Sequence, residues 1–263
     1  MSFWPVYVIN MATNTVRMAA AGQTLSTLGI PFQRFEAVDG RALSTTERQR
    51  IYDPIENARK FRHPLIPGEL GCYLSHINLW RKIAADPAPG AVILEDDFST
   101  DKHLRRVLGA LFQDNASWDM VKLYSRRANS RMIKTRSLGP GITLGQPYQI
   151  PNTTLGYVIR REAAAQLLAH PFPLARPIDE DHKRFWEHGL SIWLALPPPL
   201  SQGAEAQSGD SIAAARKTGK RPPFGQMLAQ GGKNLRYRLG YLAKLHFNRL
   251  FPAGNVKNRA AKK

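Results

Sequence analysis

The stretch Ala91-Val92-Ile93-Leu94-Glu95-Asp96-Asp97 decides the fold, because four apolar residues that read as a buried strand run straight into three carboxylates. In an open α/β sheet, a strand end of this kind faces the crevice where ligands bind. Side chains two apart on extended chain share a side, so Glu95 and Asp97 are expected to converge while Asp96 points elsewhere. Packed carboxylates resist joint ionisation unless a cation relieves them. Hard oxygen donors suit Mg²⁺ or Mn²⁺, ions usually held by one or two carboxylates together with substrate phosphates. The stretch therefore predicts a site for a divalent metal and a diphosphate. Met at random, an acidic triplet is more often a solvated turn, so the rest of the chain has to decide.

Outward from this strand, apolar runs and helical spacings alternate. Val6 to Asn10 reads as a first buried strand, and Thr15 to Leu28 as a helix stopping before Gly29. Pro31 to Val38 suggests a second strand, and Ser44-Thr45-Thr46-Glu47 has the spacing of a capping box. A polar, basic loop is expected around Arg59 to His63, then a helix opened by Pro67-Gly68 and running to about Ala85. Leu104, Val107, Leu108 and Leu111 lie at helical spacing, and Met120 to Tyr124, Leu155 to Ile159 and Leu190 to Leu196 read as strands. Further helices are expected at Glu162 to Ala169 and near Glu180 to Glu187. Such alternation implies a sheet with helices on both faces. The loop Arg126-Arg127-Ala128-Asn129-Ser130-Arg131 reads as a solvated basic face.

The chain has 263 residues and a net charge of +17, which suggests nucleic-acid binding until the charge is located. From Ser211 to Lys263 there are 13 Lys and Arg and no Asp or Glu, so positions 1 to 210 carry 24 basic against 20 acidic residues, or +4. The basic tail calls for an anionic partner and says little about the chemistry of the body. With Cys72 as the only cysteine, no intrachain disulfide is possible. No signal peptide or apolar membrane-spanning run is apparent, and a cytoplasmic location is expected.

The helix from Pro67 carries Gly68, Cys72, Ser75 and His76 on roughly one face. Its two first-turn glycines, Gly68 and Gly71, suggest close packing or a ligand approaching backbone. Cys72 and His76 could form a nucleophile and base, but with no orienting acid evident they read as a small buried hydrophobe and a satisfied polar residue. Neither CxxC nor HExxH occurs, so no zinc motif is expected.

Taken together, these stretches resemble glycosyltransferase family 25, the lipopolysaccharide-biosynthesis glycosyltransferases. The matching elements are Val8-Ile9-Asn10; Leu28-Gly29-Ile30 through Phe35 to Val38-Asp39-Gly40; Gly68-Glu69-Leu70-Gly71-Cys72-Tyr73-Leu74-Ser75-His76 with Leu79-Trp80; Leu94-Glu95-Asp96-Asp97; Trp118-Asp119 with Lys122-Leu123; and Pro177-Ile178-Asp179. They cover roughly positions 6 to 212. One departure stands out. Where family members follow the strand-end Asn with a Leu, an acid and an arginine, this chain has Met11-Ala12-Thr13, and only Arg17 matches the later arginine.

The resemblance implies a GT-A-like fold, a Rossmann-type sheet flanked by helices, over residues 1–212, with 213–263 as a basic helical tail. It also implies inverting transfer of galactose or glucose from a UDP-sugar to a lipooligosaccharide or related acceptor, assisted by Mn²⁺ or Mg²⁺. Asp97 would be the principal metal contact and Glu95 a second. Asp96 would lie near the ribose or sugar, with further donor contacts from Asn10, Arg17, Ser75 and His76. The base is expected at Asp179, with Asp181 as the alternative; helix capping serves equally well as a reason for acids there. Two other readings stand beside this one: a catalytically silent relative that binds glycan or membrane, and a nucleic-acid-binding protein, disfavoured by the near-neutral body. In the tail, Leu235, Leu239, Leu242 and Leu250 share one helical face flanked by Arg238 and Arg249. That pattern suits an anionic membrane surface on the inner face of the bacterial inner membrane, where a lipid-linked acceptor would lie. Packing of Leu235 to Phe251 on the body is the competing expectation.

Overall fold

The computed structural model of the chain describes residues 4–127, 130–169, 171–203 and 224–252. In chain order its elements are β1 (Val6–Asn10), α1 (Thr15–Thr27), β2 (Gln33–Glu36), α2 (Thr45–Ile51), α3 (Pro54–Lys60), α4 (Pro67–Ala85), β3 (Gly90–Glu95), β4 (Phe98–Thr100), α5 (Lys102–Phe112) and β5 (Met120–Lys122). There follow β6 (Met132–Gly139), β7 (Ile142–Pro147), β8 (Gly156–Arg160), α6 (Arg161–Leu167), α7 (Ile178–His182), α8 (Phe185–His188), β9 (Ile192–Leu196), β10 (Leu200–Gln202) and α9 (Phe224–Leu250).

Eight strands form one mixed sheet in the order β2-β1-β3-β8-β5-β9-β7-β6, and β10 pairs with β4 beside it. The β1 strand runs parallel to both β2 and β3, whereas β8 lies antiparallel to β3 and β5. Alternation along each central strand sends side chains into two cores. Val6, Val8, Val92, Leu94, Val121 and Val158 meet Leu25 of α1 and Leu104 and Leu108 of α5 on one face. Tyr7, Ile9, Ala91, Ile93, Met120 and Tyr157 meet Ile77 and Trp80 of α4 and Ala163 of α6 on the other. The α/β sheet flanked by helices that the sequence implies is thus present.

The capping box forms as expected, with Ser44 accepting the Glu47 N–H and Glu47 accepting the Ser44 N–H. Helix α4 keeps its predicted bounds. Pro67 opens it, and Glu69 reaches back to the Ile66 N–H at 3.0 Å. Close packing, not a ligand, explains Gly71: a Cβ there would stand 2.4 Å from the Val38 carbonyl oxygen and 2.6 Å from the Gly40 nitrogen. The same contact is closed from the other side by Gly40, whose Cβ would stand 1.8 Å from the Pro67 carbonyl oxygen.

Several expectations are corrected. The basic loop at Arg59 begins inside α3, which Asp53 caps through the Ile55 and Glu56 N–H groups. The single helix expected from Glu180 to Glu187 is two short ones, because the chain breaks at Lys183-Arg184 and the buried Arg184 guanidinium takes the Glu180 carbonyl. The hairpin of β6 and β7 has no counterpart in the sequence reading, since β6 is a polar, mostly exposed edge strand. Of the basic loop, Ala128 and Asn129 lie outside the described residues.

Helix α9 packs on the body and still keeps an apolar stripe in the open. Tyr241 and Leu245 are buried, and the Tyr237 hydroxyl donates to Glu180 at 2.5 Å and accepts from Arg184 at 2.6 Å. Arg249 donates to the carbonyls of Pro147 and Tyr148 and covers the Phe185 ring. Leu235, Leu239, Phe247, Leu250 and Phe251 stay exposed, each by more than half, while Leu242 is half-buried. The expected packing on the body is therefore seen along one face of the helix, while the leucine positions 235 and 239 stay exposed on another. No described helix is long and apolar enough to cross a membrane.

Candidate active site

Strand β3 ends at Glu95, and Asp96-Asp97 form a turn. Pleat alternation therefore stops one residue before the acids diverge, and the expected pairing of Glu95 with Asp97 by extended geometry is replaced by three separate directions. Glu95 follows Ile93 to the α4 side of the sheet. There its Oε1 accepts from the Thr154 hydroxyl and lies 3.8 Å from His76 Nε2. Burial works to raise the Glu95 carboxyl, but His76 and then Thr154 outweigh it and hold it below its usual range.

Asp96 is clamped from the other side. Asn10 at the end of β1 donates to it at 2.7 Å, and Arg17 on α1 lies 3.6 Å away. Asn10 is itself fixed by Arg34, whose Nε donates to its side-chain oxygen at 2.9 Å.

Asp97 is the least satisfied of the three. Its Oδ1 is buried and has no hydrogen-bond partner. Burial, then the charges of Glu95 and Asp96, push its carboxyl up to about 6. A buried polar atom left unpaired costs about 1–3 kcal/mol, so this arrangement is built for something that supplies the missing partner.

Above the acids stands a buried polar column. His76 Nδ1 is 2.8 Å from the Tyr157 hydroxyl, which also accepts the Trp80 indole N–H at 2.9 Å. Lys122 is fully buried, donates to the Thr153 carbonyl at 2.9 Å and lies 2.7 Å from His182 Nδ1. Burial pulls its ammonium down to about 7 against the opposing fields of Asp179 and Glu95. Sequence reading gave Lys122 only as part of a matching dipeptide; a lone lysine in the apolar run Met120 to Leu123 was the available signal.

Of the two base candidates, Asp179 is nearly buried and pushed up to about 6 by burial and then by Glu180, its Oδ1 accepting the Glu180 N–H at 2.8 Å. Pro177 occupies the N-cap position of its helix without a side-chain cap, and Asp179 in the first turn itself serves a helix N–H. Asp181 is occupied: Arg176 Nε donates to it at 2.5 Å and the Tyr73 hydroxyl at 2.7 Å. Ser75 is occupied as well. Its hydroxyl accepts the Val38 N–H and donates to the Gly71 carbonyl, tying α4 to the loop after β2. Cys72 is half-buried, and its thiol is raised by burial and then by Glu95, Asp179, Glu69 and Asp97, which puts it among the acids. A separate cavity of about 180 Å³, lined by Arg131, Met132, Ile133, Tyr148 and Arg249, lies against α9 and does not include these residues.

Comparison with known proteins adds a family pattern to this geometry. The model of the family described as Glycosyltransferase family 25 (LPS biosynthesis protein) matches residues 3–181. Human procollagen galactosyltransferase 2 is 29% identical over 188 residues, covering 68% of this chain and 30% of that protein. Procollagen galactosyltransferase 1-B of Xenopus laevis is 31% identical over 188 residues, covering 68% and 30%. The mouse protein named inactive glycosyltransferase 25 family member 3 is 30% identical over 194 residues, covering 68% and 31%. The chain thus spans about a third of the length of the curated relatives it matches. Among solved structures, a mutant of Drosophila beta-1,4-galactosyltransferase 7 in complex with manganese, UDP-Gal and xylobiose shares 10% identity at a TM-score of 0.41, covering 86% of this chain and 79% of that one.

Proposed function

Because the chain belongs to glycosyltransferase family 25, we propose that it moves a sugar, galactose or glucose, from a UDP-sugar to a hydroxyl of a lipooligosaccharide or related surface glycan, with inversion. The observation that carries this reading is the acidic turn itself: three carboxylates at a strand end, one of them clamped and one with a buried oxygen left unpaired. The unpaired Asp97 Oδ1, in the field of Glu95, fits a hard divalent cation, Mn²⁺ or Mg²⁺, with Asp97 as the principal contact and Glu95 turning from Thr154 to assist. Such an ion, when bound, offsets the negative charge that builds on the departing diphosphate.

The chain's own residues supply the rest. Asp96, held by Asn10 and Arg17, faces the ribose or sugar of the donor, and Arg17 lends positive charge at a place where Thr13 cannot. His76 borders the donor pocket, whereas Ser75 positions α4. Asp179 takes the proton of the acceptor hydroxyl. A carboxylate pushed up to about 6 is ionised at neutral pH yet basic enough to accept a proton, which is what general-base work requires. Lys122, buried between the fields of Glu95 and Asp179, balances the negative charge of the site.

Residues 1–212 act as the catalytic unit and 213–263 as the tail. We assign α9 to an anionic membrane surface on the cytoplasmic face of the bacterial inner membrane, where it meets a lipid-linked acceptor. The exposed leucine and phenylalanine stripe and the wholly basic charge of the tail support this assignment.

The silent-relative reading is favoured by the similarity to a protein named inactive and by Thr13. A donor screen separates the two: UDP release from several UDP-sugars, with and without Mn²⁺. Cation-stimulated release supports transfer. Binding of glycan without release from any donor supports the silent relative.

A further inference from the structure

Helix α4 sets Cys72 and His76 one turn apart, and the structure adds a third group that their spacing does not announce. The Cys72 sulfur, a ring nitrogen of His76 and a carboxylate oxygen of Glu95 all lie within 4.8 Å of one another. His76 is only 1% exposed, and its Nε2, 3.8 Å from Glu95 Oε1, has no hydrogen-bond partner. A buried imidazole nitrogen beside a carboxylate, with no hydrogen bond of its own, is open to a ligand.

We propose that Cys72, His76 and Glu95 form a soft-cation site that binds Zn²⁺ and, by engaging Glu95, lets Zn²⁺ oppose the hard cation of the acidic turn. Thiolate and imidazole donors select zinc, whereas Mg²⁺ and Mn²⁺ prefer oxygen. Tetrahedral zinc, with bonds of about 2.0–2.3 Å, spaces its donors by about 3.3–3.8 Å, so the three groups need only small side-chain rotations to close on it. On binding, the Cys72 thiol gives its proton to solvent and its sulfur becomes the ligand.

The surrounding column suits the role. The Tyr157 hydroxyl stands 2.8 Å from His76 Nδ1 and is fixed by Trp80; zinc binding at Nε2 requires the tautomer in which Nδ1–H donates to Tyr157. An outer-shell partner of this kind fixes both tautomer and ring orientation in histidine-bound metal sites. Three protein donors leave the fourth tetrahedral position to water or to a substrate oxygen.

The inhibitory part rests on the proposed transfer reaction; the binding part does not, and the test keeps them apart. Full-length, metal-free protein is titrated with Zn²⁺ against a chromophoric chelator, and with Co²⁺ as a spectroscopic stand-in. Wild type is expected to bind Zn²⁺ at least about 10-fold more tightly than Cys72→Ser. It should also show a thiolate-to-cobalt charge-transfer band that the variant lacks. In the unmutated protein, Zn²⁺ should slow modification of Cys72 by a thiol reagent, a readout that needs no variant to fold. Where UDP release is measurable in Mn²⁺, added Zn²⁺ should suppress it in wild type and not in Cys72→Ser. Equal Zn²⁺ affinity in the two proteins, or Cys72 modification at the same rate with and without Zn²⁺, overturns the site. Tight Zn²⁺ binding without suppression of UDP release overturns the inhibition alone.

Discussion

Around the acidic turn the fold leaves polar atoms short of partners, and along α9 it leaves apolar ones short of cover. Asp97 Oδ1 and His76 Nε2 are buried without a hydrogen bond, while Leu235, Leu239, Phe247, Leu250 and Phe251 are exposed. Under the proposed function each surplus has a partner of its own chemistry: a cation and an anionic substrate in the first case, an amphipathic surface in the second. The two regions are linked through α7. Tyr237 of α9 holds Glu180 and Arg184, beside Asp179, so the helix that would meet a membrane braces the segment that carries the proposed base.

The largest effect is expected at the polar surplus. Asp97→Ala should reduce transfer by several kcal/mol, on the order of 10³-fold, while the circular dichroism spectrum stays native. Wild-type turnover in a metal-depleted Asp97→Ala sample would end the metal assignment. Next comes Asp179→Asn, expected to slow transfer on the order of 10²-fold with UDP-sugar affinity preserved. Lost donor affinity would move Asp179 into the donor site instead. Asp181→Asn should act mainly on the melting temperature, because it weakens the hold on the buried Arg176 and leaves Asp179 in place.

A subtler contrast concerns pH. Asp97 sits at about 6 in the folded chain against an ordinary 3.8, so its contribution to stability is fully present below 3.8 and is lost as pH rises through 6. A divalent ion binds the ionised form and restores what was lost. The rise in melting temperature caused by Mn²⁺ should therefore be larger at about pH 7.5 than at about pH 5. Asp97→Ala should show neither the rise nor its pH dependence. Equal stabilisation of wild type and variant would place the ion elsewhere.

The apolar surplus predicts the smallest and most salt-sensitive effect. Each basic residue near an anionic surface contributes about 1 kcal/mol, so full-length protein should co-sediment with anionic vesicles and be released by salt. Truncation after Asp210 should abolish this, and Leu239→Ser should weaken it. Equal binding by full-length and truncated chains would exclude the tail as the anchor.

What the sequence made legible follows from how local the signals are. β1, β3 and α4 are visible because apolar runs and a Pro-Gly start are properties of neighbours along the chain. β6 is not, since an edge strand of Lys134, Thr135, Arg136 and Ser137 has no buried face to pattern it. The acidic turn was legible as a cluster of carboxylates at a strand end but not as geometry, because extended spacing ends at Glu95. Thr154, Tyr157 and Lys122 come to Glu95 and His76 only through the order β3-β8-β5 in the sheet, a long-range fact that no spacing encodes. On α9 the leucine stripe was legible, while the face that packs, Tyr237, Tyr241 and Leu245, was hidden by its tyrosines.

The acidic turn is proposed to work as a cation-assisted sugar-transfer site. Its most direct test is UDP release by full-length protein, measured across several UDP-sugars with a glycan acceptor, in Mn²⁺, in chelator and in the Asp97→Ala variant. Release from one donor class in Mn²⁺ is expected, falling to background in chelator and in the variant. Release that is unchanged by chelator and by Asp97→Ala, or absent from every donor in Mn²⁺, would contradict it.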